Sequence, residues 1–516
     1  MEQFVQKYED KVIGKIAGFD RLVFRGTLRP LAVASGMFDY LYRIGVLLKD
    51  FGQYVQDTSE KLKQASLATA EQQSRPIKYL ASSSMRKETI AREIAVADGI
   101  DNGLICVLKC VEPCMGYEIY RNRMKKKLEL QPRKRKCLHL YHYWIDPVFG
   151  FMNARIQTWF PFNIQICMNG REFMARQMDK YNLIYERREN CFSWIENVGK
   201  AQKLLAGMLK LSWPGCLNKI ARKLNPAHNQ IFDVYKTDYY WSVHQSEWAT
   251  DIMFKSSSAL SDIYPSLIHQ AITGFSCGDV MRFLGKKLHG NFTGQIVSNT
   301  KKRPEGTRIK HSCNNNSVKM YDKQGSVLRV ETTVNNVRDF KVYRPKPDYP
   351  GGAYGWQRMR KGVADIHRRA QISDASNNRY LEALSQLDGS EKLCKVVQDV
   401  CRSRKWKNYR IRGLKPWWAE DRALLESISR GEFSISGFRN RDIAKLLFPQ
   451  TRGNKGKHKR QAAKVTYRLR MLRAHGIIRK ISHTNRYILT PKGRRLTTAI
   501  LKIQNLSLEQ LNNIAA

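Results

Sequence analysis

The sequence predicts a multidomain α/β (α+β) protein, with a mixed α/β region first, a central and mainly antiparallel sheet with helices next, and a helical C-terminal segment that includes a hairpin. Three observations carry that class. A strand, a helix and a strand follow one another before residue 112, strand-like segments recur from Cys137 to Thr333, and apolar residues at helical spacing dominate after Ala419. A length of 516 residues accommodates several domains, which the pattern divides as 1–130, 131–345, 346–418 and 419–516.

In the first region "GMFDYLYRIGVLLKDF" has helical spacing and "PIKYLA" is a short strand. "MRKETIAREIAVADG" is a helix closed by Gly99, and "GLICVLKCV" is a buried strand. Strands joined by a helix of this length pair in parallel, because the helix serves as the crossover. After the basic run "RMKKKLELQPRKRK" the strands lengthen: "CLHLYHYWI" and "FGFMNARIQTW" form a hairpin about "DPV", and "FNIQICMNG" follows. "REFMARQMDKYNLIY" is a helix packed back on that sheet, which resumes at "YYWSVHQSEWATDIMF". The Pro and Gly of "PKPDYPGGAYG" mark a boundary, beyond which "WQRMRKGVADIHRRA" reads as a basic helix.

With 90 Lys+Arg against 45 Asp+Glu the formal charge is +45, and the basic residues recur along the whole chain. A polyanion is the partner such a field attracts: DNA, or structured RNA, over an extended surface. A hydrophobic fraction of 42% excludes disorder as the meaning of that charge. Eleven irregularly placed cysteines and no run of eighteen apolar residues point to a reducing, cytoplasmic and nucleoid-associated setting without a membrane partner.

The last hundred residues follow a winged helix-turn-helix plan: "NRDIAKLLF" is a short helix, a longer one ends at Gly476, a wing turns at about Thr484 and Asn485, and a closing helix starts at Pro491. On the long helix Ala462, Val465, Leu469 and Leu472 form one stripe, opposite Arg460, Lys464, Tyr467 and Arg468. Those four, with Arg486 in the wing, are the candidate nucleic-acid contacts. From Asp421 onward there are 21 Lys+Arg and 5 Asp+Glu, which favours nucleic acid over protein contacts. "LRMLRAHGIIRKI...NRYILTPKGRRL" resembles MarR-type winged-helix domains, and the resemblance implies DNA binding.

"NSVKMYDKQGSVLRVETTVN" reads as a hairpin with a Gln324-Gly325-Ser326 loop. Its odd register puts Lys319, Tyr321, Lys323, Arg329, Glu331 and Thr333 on one polar face, with Lys319 and Arg329 placed to meet a polyanion. A phenol, carboxylates and cations together suit phosphoryl transfer: Tyr321 as nucleophile, and Glu331 holding Mg²⁺ or Mn²⁺ with Asp322, Glu247 and Asp251 as its available partners. Asp146 and His244 are further candidates near that site. The Tyr-Asp-Lys followed by Arg-x-Glu is similar to a motif of plasmid rolling-circle replication initiators. That resemblance implies a nicking Tyr321, a supporting Lys323 and a metal-binding Glu331. The chain departs from the wider superfamily in lacking a His-hydrophobe-His pair, since His139 and His142 fall on opposite faces of a strand.

Cys106, Cys110, Cys114, Cys137, His139 and His142 lack a Cys-x2-Cys knuckle, so zinc is not expected. Asp20, in "FDRLVFRGTLRP", either helps bind phosphate or pairs with its neighbouring arginines, and no ATP-binding phosphate loop occurs. Two functions fit: a DNA nicking and joining protein of a plasmid or mobile element, replication-initiator or transposase-like, and a non-catalytic DNA- or RNA-binding regulator or ribonucleoprotein component.

Overall fold

A computed structural model describes residues 2–286, 294–303, 306–346, 352–385, 393–430, 433, 437–449, 455–481 and 484–505. The chain forms two compact units, each assembled from separated segments: 13–254 with 327–374, and 1–12 with 255–326 and 375–516. This division differs from the linear one read from the sequence.

The first of these units is built on a mainly antiparallel sheet. Its strands are β1 (Val12–Thr27), β2 (Ile77–Leu80), β3 (Gly103–Asn122), β4 (Lys127–Asp146), β5 (Gly150–Gln157), β6 (Ile164–Asn169), β9 (Tyr240–Phe254) and β10 (Val327–Val334), in the spatial order β10-β9-β1-β6-β5-β4-β3-β2. The pair β7 (Tyr185–Arg188) and β8 (Cys191–Ile195) is a separate hairpin. β2 and β3 pair in parallel, across the helix α2 (Lys87–Ala97), as the crossover argument requires. The basic run, after which the strands were expected to lengthen, is itself part of a long ribbon: β3 and β4 pair from Gly103↔Ile145 out to Asn122↔Lys127. Its lysines and arginines can stay in water because the outer ribbon is exposed.

Helices cover both faces, and this is why so little of the sheet is wetted. On one face Leu22 and Phe24 of β1, with Ile156, Ile164 and Ile166, pack against α1 (Phe51–Gln72) and α4 (Trp213–Leu224). On the other, Met174 and Met178 of α3 (Gly170–Lys180) and Phe192 of β8 bury Ile16, Met253 and Val327, while Ala91 and Ile94 of α2 cover Leu108 and Tyr143. Each such side chain taken out of water contributes about 1.5–3 kcal/mol.

The segment 345–355 is not a boundary between the units. It joins β11 (Lys341–Pro345) to β12 (Tyr354–Arg358), an antiparallel hairpin in which Tyr343 faces Trp356. The helix expected from Trp356 begins only at Ile366, because Trp356 to Arg358 are in extended pairing.

In the second unit Ile296–Arg303, Gly306–Cys313 and Asn316–Lys323 form an antiparallel meander. Its C-terminal part contains the helices Ala419–Ile428, Asn440–Leu447 and Lys455–Ala474, the paired strands Ile478–Lys480 and Tyr487–Leu489, and the helix Pro491–Asn505. Leu424, Ile443, Val465, Leu469, Leu472 and Leu496 share one core. Ala462, expected on the apolar stripe, is exposed, so the buried stripe begins at Val465. Among the described residues no helix is long and apolar enough to cross a membrane.

Candidate metal centre

The second face of the sheet carries a polar layer whose geometry follows from strand register. β10 pairs with β9 so that Arg329 faces Asp251, Glu331 faces Ala249 and Thr333 faces Glu247. The period of two therefore puts Glu247, Asp251, Arg329 and Glu331 on one side. Asp20 of β1 joins them: Asp20, Glu247 and Glu331 each present a carboxylate oxygen within 4.8 Å of the other two. Asp20 and Glu331 are buried, and Glu247 is half-buried.

Neighbouring groups orient this cluster. Asn190 Nδ2 donates to both Asp20 oxygens at 3.0 and 3.3 Å, and Gln245 Nε2 donates to Glu247 Oε1 at 3.0 Å. Arg329 Nη1 lies 3.4 Å from Asp20. Three hard oxygen donors, nominally −3 in charge, suit Mg²⁺ or Mn²⁺ better than a thiophilic metal. The hydrogen bonds from Asn190 and Gln245 are of the kind that hold ligating carboxylates in place.

Asp251, expected among the ligands, is committed elsewhere. Arg329 donates to it through Nε at 2.6 Å and Nη2 at 2.8 Å, and Arg171 Nε donates at 3.0 Å. Burial pushes the Asp251 carboxyl up, but the two guanidiniums outweigh it and hold the group below the usual carboxylate range. Arg329, expected to meet a polyanion, is fully buried, since α3 and β8 cover its strand. Arg171 reaches this layer from the first turn of α3, where Asn169 accepts from the Arg171 and Glu172 amides. Gly170 is required there: a Cβ would stand 1.7 Å from the Phe19 carbonyl oxygen, next to Asp20.

A cleft of about 530 Å³ lies between α2 and the strands β1, β4, β5 and β6, and Arg21, which follows Asp20 in β1, is among the residues that line it. Arg21, Arg86, Lys87, Arg92 and Arg155 line it with Tyr141, Tyr143 and Cys167. Gln165, Arg155 and Tyr141 of its lining are directly paired in a row, Gln165↔Arg155↔Tyr141, and Arg25 of β1 pairs with Gln165 at the end of that row. Burial raises the Cys167 thiol, and Glu88 and Glu247 push the same way against Arg21, so Glu247 acts at the edge of this cleft. His244 is held below its ordinary value by burial and then by Lys361, Arg25, Arg155 and Arg369; it stands among cations, outside the carboxylate cluster. Burial, followed by Arg155, lowers Arg25.

Comparison with family models, curated proteins and solved structures found no match.

The remaining predicted residues fall elsewhere. Asp146 accepts from the Val148 and Phe149 amides at 2.8 and 3.1 Å and shapes the β4–β5 turn. Asp322 does the same for Gly325 N at 3.0 Å, and Gln324 and Gly325 have φ of 57° and 78°, as a tight loop requires. Tyr321 pairs directly with Arg308, and Lys319 with Lys310, so Tyr321 shares its strand face with Lys319 and Lys323 in the second unit. Arg460, Lys464 and Tyr467 are exposed on the helix Lys455–Ala474, Arg468 pairs with Glu420 at 2.5 Å, and Arg486 directly precedes the strand Tyr487–Leu489. Asp20, read from the sequence as a phosphate contact or an ion-pair partner of its neighbouring arginines and not as a candidate metal ligand, is the third carboxylate of the cluster.

Proposed function

We propose that this chain processes nucleic acid by divalent-metal-dependent cleavage of a phosphodiester, as a nicking and joining protein of the replication-initiator or transposase-like kind. The observation that carries the proposal is the convergence of Asp20, Glu247 and Glu331 from three strands at the edge of a cation-lined cleft. Asp20, Glu247 and Glu331 would hold Mg²⁺ or Mn²⁺, which when bound supplies Lewis-acid polarisation of a non-bridging phosphate oxygen. Arg21, Arg25 and Arg155 neutralise the flanking phosphates and fix the strand over the sheet. The nucleophile in this proposal rests on the sequence motif alone, which implies the phenol of Tyr321, a residue of the other unit that shares its strand face with Lys319 and Lys323. Its oxygen forms a bond to phosphorus as the bond to the leaving strand's oxygen breaks; the phenol gives up its proton and the leaving oxygen takes one up, leaving a phosphotyrosine ester. The C-terminal helices and hairpin act as a winged helix that docks the protein on DNA through Arg460, Lys464 and Tyr467.

The test is labelled single-stranded and duplex DNA on a denaturing gel, with Mg²⁺, Mn²⁺ or chelator. The expected result is metal-dependent cutting with a covalent protein–DNA band, reduced about a hundredfold or more in Glu331→Gln and Asp20→Asn. Tyr321→Phe is expected to abolish the covalent band. Cutting retained in Tyr321→Phe transfers the attack to water, and intact DNA throughout with salt-sensitive binding makes the chain a non-catalytic binder.

A further inference from the structure

The hairpin β11–β12 has one face that buries nothing. Direct pairing sets Lys341 opposite Arg358, Tyr343 opposite Trp356 and Pro345 opposite Tyr354, so these six side chains share a face. All six are exposed, whereas the alternate residues Val342, Arg344, Gly355 and Gln357 are half-buried. Tyr343, Tyr354 and Trp356 are 57%, 58% and 59% exposed, a concentration of aromatic surface that contributes little to packing. Ring centroids stand 5.7 Å apart for Tyr343 and Tyr354 and 5.6 Å for Tyr343 and Trp356, at 34° and 58°, which leaves ring faces open to a further flat group. Arg368 lies over the Trp356 ring at 5.3 Å, adding a third cation to Lys341 and Arg358.

We infer that this face is a stacking platform for unpaired bases of a single-stranded nucleic acid. Flat aromatic faces take bases of any sequence, and cations at the margin meet the phosphates between them. Among the described residues this face carries no Leu, Ile, Val, Met or Phe to enter lipid tails. The platform also adjoins further cations of the same unit. The chain leaving β12 lies along β9, where Lys361 O accepts from Val243 N at 2.7 Å, and Lys361 acts on His244 together with Arg25 and Arg155. A strand whose phosphates follow Arg155, Arg25 and Lys361 is thereby led to Trp356 and Tyr343. The inference rests on the nucleic-acid part of the proposed function and is independent of the metal.

The experiment measures binding of the full chain by fluorescence anisotropy, in chelator, to a labelled deoxythymidine oligomer and to an abasic strand of equal length. Anionic phosphatidylserine vesicles are a third probe. Wild-type protein is expected to prefer the base-containing strand, and Trp356→Ala to weaken that strand about tenfold. The same variant is expected to leave abasic binding and thermal unfolding unchanged, and the pair Tyr343→Ala with Tyr354→Ala to act likewise. Lys341→Ala with Arg358→Ala is expected to weaken both strands equally. Equal binding of the two strands by the wild type, equal losses on them in Trp356→Ala, or a loss confined to vesicles would each overturn the inference. Because no metal is present, failure here is separate from failure of cleavage.

Discussion

Asp251 separates a structural carboxylate from a ligating one, and Asp251→Asn tests the distinction. The side chains of Arg171, Arg329 and Asp251 are 0%, 1% and 3% exposed, so the change leaves buried guanidinium charge without its counterion. Arg329 keeps the Asn190 carbonyl at 2.7 Å and Asp20 at 3.4 Å. Arg171 keeps only the Ala249 carbonyl at 3.1 Å, and its Nη1 has no hydrogen-bond partner. Removing one member of a buried ion pair costs about 3–5 kcal/mol, and with Arg329 partly compensated we expect about 4 kcal/mol here. Urea unfolding followed by far-UV circular dichroism in chelator reads this directly, with half-buried Glu247→Gln as the comparison, expected to change stability by less than about 1 kcal/mol. The Asp251 carboxyl is held below its ordinary value, so its stabilisation is complete above about pH 4 and lost as pH falls through the folded value. Asp251→Asn therefore also flattens the acid limb of the stability profile. A loss below about 1 kcal/mol together with abolished Mn²⁺ binding would refute the reasoning and make Asp251 a ligand.

Two further outcomes are expected. Burial holds His139 and His142 at about 4, so both are neutral in the fold, and their contribution is complete above about pH 6.5 and falls as pH drops towards the folded value. His142→Asn, measured by urea unfolding at pH 7 and 4.5, should shrink the difference between the two by about 2–3 kcal/mol; an unchanged difference refutes the neutral assignment. In the C-terminal segment, Arg460→Ala and Lys464→Ala should each lower the slope of log K against log salt by about 0.9 for duplex DNA. An unaltered slope would remove the helix Lys455–Ala474 from the interface.

What was legible in the sequence was local. The strand–helix–strand unit, the β4–β5 hairpin and the C-terminal helices each declare themselves by period and punctuation within about 15 residues. Period two also placed Glu247 and Asp251 on one side of β9. Which of them is available to a metal depends on Arg171, which lies 80 residues away in sequence and arrives on the first turn of a helix. Arg329 misled for a related reason. Alternation marks the polar side of β10, yet every residue of β10 is buried because the sheet is covered on both faces, so polar meant paired rather than wet. Asp20 was hidden by its neighbours: Arg21 and Arg25 are exposed, and the cation that reaches Asp20 is Arg329 of another strand. Pro and Gly in 345–355 read as a linker because composition alone does not distinguish a linker from the end of a ribbon.

The interleaving of the two units bears on how the protein is made. Asp20, Arg171, Glu247 and Asp251 all leave the ribosome before Lys255–Ser326, a segment of the other unit, is translated. Arg329 and Glu331 come only afterwards. At about 5–20 residues per second, β9 waits for β10 for roughly 4–17 seconds, its edge unpaired and Asp251 still without one of its two arginines. Until Glu331, nearly two-thirds of the way along the sequence, has been translated, a nascent chain therefore has no complete carboxylate cluster.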